Sequence, residues 1–484
     1  MRSGLLVGLS IVGFLLAGAR DLDANTHLGT VWAWGAGMVG DGTITGRVIP
    51  VPVGSLLGVV EVAAGAGHSL AIKLDGTLWA WGQNLDGQLG DDTTTFKPTP
   101  VQVKGPGGVG VLGGVRGAAG GFHHSLAVTS NGAVWAWGEN HWGQLGEGMT
   151  TARPRLTPVP VQVRDPNDPS RLVPLTDVTA VAAGQIHSLA LKSDGTVWAW
   201  GLNAQGQLGV VGLTSVFTPT AVQVREDPRD PRRFLVGVTA IAAGPNHNLA
   251  LKADGTVWAW GRNHNGELGI GARPRENTAM QVSTPAGPFI AVAAGGESGT
   301  GAGHSLALRN DGTVWAWGRN AFGQVGDGTT GTDRLAPVQV QMRDPTNPTQ
   351  LVPLDRVRAI AAGSTYSLAL RDDGTLWAWG AGPLGDATMT SRAVPGPVGR
   401  VAGGVKLAAG GAHSLALVFP RSGTPWSWGS NLEGQLGHGY FGGYSVLPAP
   451  VRNLGGIVAV AATSWHSLAL KADGTVWAWG DNTE

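Results

Sequence analysis

One stretch decides the fold: Val238-Thr239-Ala240-Ile241-Ala242-Ala243-Gly244, then His247-Asn248-Leu249-Ala250-Leu251, Asp254-Gly255-Thr256 and Val257-Trp258-Ala259-Trp260-Gly261. Two short apolar runs flank an Asp-Gly pair, which supplies the positive φ angles of a tight hairpin turn. The same place holds Asp75-Gly76, Asn131-Gly132, Asp194-Gly195, Asp311-Gly312, Asp373-Gly374 and Asp473-Gly474. Downstream of the indoles runs Asn-x-x-Gly-Gln-Leu-Gly, at Asn84 to Gly90, Asn140 to Gly146, Asn203 to Gly209 and Asn431 to Gly437. Asn263 to Gly269 carries Glu267 in place of glutamine, and Asn320 to Gly326 carries Val325 in place of leucine. A further short strand follows, such as Pro100 to Val103 or Pro219 to Val224. Proline there suits an outer strand, which need not donate a hydrogen bond at that position.

Trp-x-Trp-Gly recurs nine times, beginning at Trp32, Trp79, Trp135, Trp198, Trp258, Trp315, Trp377, Trp426 and Trp477. These pairs hold 18 of the 20 tryptophans at spacings of 47 to 63 residues, so the unit is fixed while its loops vary. A period of that size points to a propeller or another array. Each unit offers four strands. The Ala-Ala-Gly strand has the smallest side chains and belongs innermost, where blades crowd the axis. The His-Ser-Leu-Ala-Leu strand is second, the tryptophan strand third and the Pro-Val strand outermost, the plan of a four-stranded propeller blade. No helical periodicity persists beyond residue 20, which excludes a helical solenoid.

Composition agrees. The 79 glycines and 29 prolines among 484 residues could signal low complexity, but 42% of residues are apolar, a load no disordered chain carries. Lys+Arg and Asp+Glu are both 33, so no global basic face awaits a nucleic-acid backbone. Acidic Glu226, Asp227 and Asp230 interrupt the one local run, Arg225, Arg229, Arg232 and Arg233. No nucleic-acid partner is expected. The absence of cysteine removes disulfides, thiolate nucleophiles and thiolate zinc sites. Arg2, the apolar stretch Leu5 to Leu16 and Ala17-Gly18-Ala19 read as a secretory leader over 1–19, short for a membrane span. The expected organisation is this leader, a linker over 20–28 and the repeat array over 29–484. Export to the cell surface, periplasm or medium follows, with no stable membrane span and a monomeric state.

The units, Gly-x-Val-Trp-x-Trp-Gly-x-Asn-x-x-Gly-Gln-Leu-Gly, then Pro-Val, then Ala-Ala-Gly-x-x-His-Ser-Leu-Ala-Leu, resemble the regulator of chromosome condensation repeat family over almost everything from Thr30 to Glu484. The resemblance implies an all-β propeller, usually of seven blades. Counted from the inner strands, seven complete blades run from about Val59 to Val451. Two outer strands, Val31 to Gly35 and Ile49 to Val53, remain at the N-terminus, and three inner strands, Ile457 to Gly480, at the C-terminus. Combined, they would close an eighth blade with one tryptophan strand to spare, giving a seven- or eight-bladed ring. The chain stops inside an Asn-x-x-Gly-Gln element, so a fragment of a longer array is the other reading.

Repeat chemistry has structural explanations. His68, His124, His187, His247, His304, His413 and His466 share one repeat position, with Tyr366 in the eighth unit. One imidazole per blade spreads around a ring instead of converging on a metal, so hydrogen bonds between strands or blades are expected. Gly82 to Gly87 has the spacing of a phosphate loop, but Gln88 stands where lysine should be. Adjacent residues such as His187 and Ser188 point to opposite faces of a strand and form no nucleophile–base pair. The two indoles of each pair should share one face, in the core. The Asp-Pro insertions at Asp165 to Pro169, Asp227 to Pro231 and Asp344 to Pro348 read as stiff turns, with calcium ligation the lesser reading.

Loop residues vary on this constant frame, and aromatic anchors on rigid loops suit a recognition surface. The candidate binding residues are His141, Trp142, His264, Asn265, Phe322, Tyr440, Phe441, Tyr444 and Trp465. The alternative is that such side chains pad neighbouring loops. No catalytic, metal or cofactor site is expected. The expected function is a secreted, non-catalytic, protein-binding scaffold. The first alternative is an enzyme inhibitor, since Ala-Ala-Gly, His-Ser-Leu-Ala-Leu-Lys and Ala-Trp-Gly also resemble secreted β-lactamase-inhibitory propellers. The second is nucleotide exchange on a small GTPase, which the family's namesake performs.

Overall fold

In the computed structural model each repeat folds into a four-stranded antiparallel sheet, in the order read from the sequence. Blade four is typical: Val238–Ala243, His247–Lys252, Val257–Arg262 and Arg275–Gln281 pair in succession. The structure describes Trp32–Ala33, residue 56 and residues 58–480, except 214, 227–228, 231, 286, 297–302, 400–403, 419–422, 433, 441, 453, 463–465 and 473–475. The expected leader and the expected strand Ile49 to Val53 lie outside the described residues.

Seven complete blades begin with Val59–Ala64, Val115–Gly120, Val178–Ala183, Val238–Ala243, Phe289–Gly296, Val357–Ala362 and Gly404–Ala409. Each of these first strands touches the first strand of the next blade, so the alanine-rich strands are the innermost. Small side chains suit the positions where neighbouring backbones approach closely. A register shift recurs near the start of each first strand, as between Val238 and Ala240, and another beside the outer strand, as between Ala259 and Gly261. Such bulges sharpen the twist that a narrow blade needs.

An eighth sheet joins Ile457–Ala462, His466–Lys471 and Val476–Gly480 to Trp32–Ala33. The N-terminal strand pairs parallel, Trp32 opposite Trp477 and Ala33 opposite Ala478. The tryptophan strand counted as spare thus takes the outermost place. Repeat order would give an antiparallel partner, but a strand arriving from the other end of the chain is not bound to a hairpin's direction.

The core is divided into wedges between blades. Eight apolar clusters occur among the described residues, one at each seam. The cluster at the last seam joins Ala459, Ala461, Leu468 and Leu470 of blade eight to Val59, Val62, Ala71 and Trp81 of blade one, closing the ring. Among the described residues the second indole of the pair is the largest fully buried side chain of each wedge: Trp81, Trp137, Trp200, Trp260, Trp317, Trp379, Trp428 and Trp479. At roughly 25 cal/mol per Å2 over the 150–250 Å2 an aromatic ring buries, each contributes about 4–6 kcal/mol.

The two indoles share a face, as their spacing requires, but not an environment. The first is only half-buried in blades one to seven, whereas Trp477 of blade eight is buried. Trp79, Trp198, Trp258 and Trp377 donate to the hydroxyls of Thr77, Thr196, Thr256 and Thr375. A cation lies over several of these rings, Lys252 at 4.9 Å from Trp258 for example. Two of the Asp-Pro insertions are also more ordered than loops. They form antiparallel ribbons, Gln162–Arg164 with Leu172–Pro174 and Gln341–Arg343 with Leu351–Pro353. Asx turns close their tips: Asp165 and Asp344 accept from the N–H groups of Asn167 and Thr346. Among the described residues no group of three or more His, Asp or Glu side chains could hold a metal ion.

Candidate functional site

Site geometry starts at the seams. His68, His124, His187, His247, His304 and His413 each place Nε2 within 2.6–3.2 Å of Ser125, Ser188, Asn248, Ser305, Ser367 or Ser467 on the next blade. Histidine and serine therefore do meet, across blades, although neighbours along a strand point apart. The serine hydroxyl spends its proton on a carbonyl: Ser125 on Gln88, Ser188 on Gln144, Ser305 on Glu267, Ser367 on Gln324 and Ser467 on Gln435. It must accept from imidazole, which fixes the Nε2–H tautomer. A buried hydroxyl aimed at a carbonyl is no nucleophile; these pairs are fasteners. The same carbonyls receive the second indoles, Trp137 to Gln88, Trp200 to Gln144, Trp260 to Gln207, Trp317 to Glu267 and Trp379 to Gln324, at 2.8–3.0 Å.

Those carbonyls belong to the Asn-x-x-Gly-Gln-Leu-Gly loops, which the seams thereby anchor. Inside each loop the asparagine oxygen accepts an N–H five residues on, as Asn140 does from Leu145 and Asn320 from Val325. The glutamine side chain reaches back to the N–H of a variable residue: Gln144 to Trp142 and Gln324 to Phe322, at 3.0 and 2.9 Å. Loop N–H groups then bond the next blade's outer strand, Gly148 to Pro219 and Gly328 to Ala393. Glu267 fills the glutamine position of blade four. It is buried against Arg262 at 3.6 Å, and burial pushes its carboxyl above the usual range.

Strand direction gathers these loops. The connections from first to second and from third to fourth strand leave the same end of every blade, as the pairings Ala183–Ser188, His187–Gly201 and Gly201–Thr218 require. This end is the loop face. The Asp-Gly turns leave the opposite end. By this topology His141, Trp142, His264, Asn265, Phe322, Tyr440 and Tyr444 all belong to the loop face, on blades two, four, five and seven. Phe441 and Trp465 lie outside the described residues.

Their roles differ. Trp142, Phe322, Tyr440 and Tyr444 are exposed by 38–47%. Trp142 also meets the edge of Phe217 on the next blade, ring centres 6.2 Å apart, so part of it pads a neighbour. His141 is exposed, with Nδ1 3.1 Å from Glu139, and His264 is exposed. Asn265 is tied to Asp333 of blade five at 2.7 Å and serves as a tether. Aliphatic residues missed by a search for aromatics extend the surface: Leu85, Met149, Val216 and Leu432 are exposed on the same loops. The signal was available, since Leu85 and Leu432 fill variable positions of the Asn-x-x-Gly loops. Acids and bases on this face are largely paired with each other, as Asp91 with Lys97, Glu147 with Arg155, Asp327 with Arg334 and Asp386 with Arg392.

A ring of tryptophan-locked blades holding varied loops on one face defines a repeat propeller. The chain belongs to the RCC1-like domain family, whose model matches residues 7–344 and, overlapping, 231–484. The first match begins inside the segment read as a leader. Human E3 ubiquitin-protein ligase HERC2 is 31% identical over 370 residues, 74% of this chain but 7% of the ligase. The chain thus spans a small part of that relative's length. The ultraviolet-B receptor UVR8 of Arabidopsis thaliana is 27% identical over 390 residues, 79% of each chain. Human WBSCR16 superposes with a TM-score of 0.59 at 22% identity, covering 82% of this chain and 99% of that one. Prp20p of Saccharomyces cerevisiae superposes with a TM-score of 0.55 at 20% identity, covering 86% and 95%.

Proposed function

We propose that this chain is a non-catalytic scaffold that works outside the cytoplasm and holds a protein partner on its loop face. The observation that carries this reading is the set of exposed aromatic and aliphatic side chains on loops whose backbones are hydrogen-bonded at both ends. Rigid aromatic anchors lose little entropy on binding and dominate interface energetics. Internal pairing of the charges on this face favours a partner offering apolar and neutral polar groups over a strongly charged one. Structural relatives support a protein ligand: yeast Prp20 has been crystallised with Kap60, and its binding to Gsp1p and histones has been studied. Export rests on the leader pattern of residues 1–19.

The test is capture from culture medium by the exported protein and by a Trp142→Ala/Phe322→Ala variant. Truncating two anchors worth about 2 kcal/mol each should weaken capture on the order of a thousandfold while leaving the melting temperature within a few degrees. Equal capture of the same partner by the variant would remove these residues from the site. Mass spectrometry of the exported protein should find its N-terminus near Arg20; retention of the intact chain in the cytoplasm contradicts export.

A further inference from the structure

The fasteners around the ring are not all alike. At seams two–three, three–four, four–five and five–six the fastener is an enclosed imidazole: His124, His187, His247 and His304, none with measurable exposure. In each, Nε2–H is committed to the next blade, and Nδ1 has no hydrogen-bond partner among the described residues. The rings lie against glycine backbones: a Cβ on Gly121 or Gly184 would stand 2.1 or 2.0 Å from the imidazole carbon of His124 or His187. No acceptor or water can enter on that side. At seam six–seven the fastener is Tyr366, whose hydroxyl donates to the His413 carbonyl and, at 3.3 Å, to that of Gly410. Ser414 remains buried in blade seven, at the position that accepts from imidazole elsewhere.

We propose that closure of the ring is proton-gated at its histidine seams, and that the tyrosine seam between blades six and seven stays shut in acid. A second proton on any of these imidazoles would sit on Nδ1, enclosed and without an acceptor, so it can bind only if the seam parts. The charged and titratable groups that bear on the belt oppose protonation. His124 faces His123 on its own loop and His187 on the next blade; His247 faces Arg262, His187 and His304. Glu267 offers the belt only its backbone carbonyl, and its carboxylate is turned to Arg262. Burial holds His304 down to about 4, and His187 likewise against the opposing hydrogen bond to Asn248; burial with these neighbours holds His124 and His247 to about 3. Tyr366 is neutral at every pH concerned, since burial pushes its phenol further upward. Stability in such arrays is a sum of nearest-neighbour terms, so one class of seam can part before another.

The chain has no cysteine, which permits a direct test. Ala190, Ala307 and Ala416 are fully buried in the wedges of seams two–three, four–five and six–seven at equivalent repeat positions. Single Ala190→Cys, Ala307→Cys and Ala416→Cys variants of the full chain are labelled with a dithiodipyridine at pH 7.5 and 5. Each rate is divided by that of the urea-unfolded chain at the same pH. Labelling at residues 190 and 307 should rise roughly 30-fold on acidification, and at residue 416 less than threefold. Adding Tyr366→His to Ala416→Cys rebuilds the imidazole–Ser414 pair and should confer the acid response on that seam. An equal rise at all three sites, or none at any, overturns the proposal, and so does a folded Tyr366→His variant that leaves residue 416 insensitive.

Discussion

At Trp260 three contributions meet: a fully enclosed ring, an N–H to the Gln207 carbonyl and a wedge shared with Leu189, Leu191, Val197 and Ile241. Trp260→Ala should cost about 3–5 kcal/mol, read as the shift of a chemical denaturation midpoint. Ser188→Ala should cost about 1–3 kcal/mol, because it strands the His124 N–H in a dry seam. The imidazoles also set a pH dependence. Their folded values lie below the ordinary one of about 6.5, so the native state prefers them neutral. Their contribution is complete above pH 6.5 and is lost as pH falls from there toward 4, each histidine removing up to about 1.4 kcal/mol per pH unit. Urea titrations at pH 7.5 and 5 should show the lower stability at pH 5; equal midpoints contradict the assignment. The shared face of each indole pair was legible from its spacing of two. The half-exposure of the first indole in blades one to seven was not, since it depends on how far out along the blade the ring sits. The serine partners were hidden because they lie 54–64 residues away, on another blade.

The Asn-x-x-Gly-Gln-Leu-Gly loop is the element on which the proposed recognition rests. Its asparagine closes the loop, its glutamine fixes the variable residue, and its backbone carbonyl receives the next blade's hydroxyl and indole. Glycine is required at its fourth position for two reasons at once. Gly323 has φ +83°, and a Cβ there would stand 2.5 Å from the Ala393 Cα of the neighbouring outer strand. Gly323→Val should therefore destabilise by about 2 kcal/mol or more and lower the melting temperature by several degrees, while Ala321→Val in the same loop should change little. Recurrence made this element visible in the sequence. Its hydrogen bonds to the next blade were not, because they depend on which strand lies beside it in space. The Asp-Pro insertions show the same limit: their turn tips were readable from Asp and Pro, whereas the pairing of Gln162–Arg164 with Leu172–Pro174 brings together residues with no strand signature of their own.

For the whole molecule, strand order and blade plan followed from side-chain size, since the strand richest in alanine and glycine suits the place where inner strands converge. Ring closure did not follow, because the repeat count leaves strands over at both ends and spacing alone cannot say how they combine. Their combination in the structure gives the eighth sheet and the wedge it shares with blade one. The central claim is that this last seam is closed like the others. Leu74 and Ala472 occupy equivalent exposed turn positions on blades one and eight, as Ser193 and Ala253 do on the neighbouring blades three and four. Spin labels on Leu74→Cys/Ala472→Cys and on Ser193→Cys/Ala253→Cys, compared by double electron–electron resonance, should give the same distance distribution. A much longer or broader distribution for the Leu74/Ala472 pair would mean that the blades never return to their starting point.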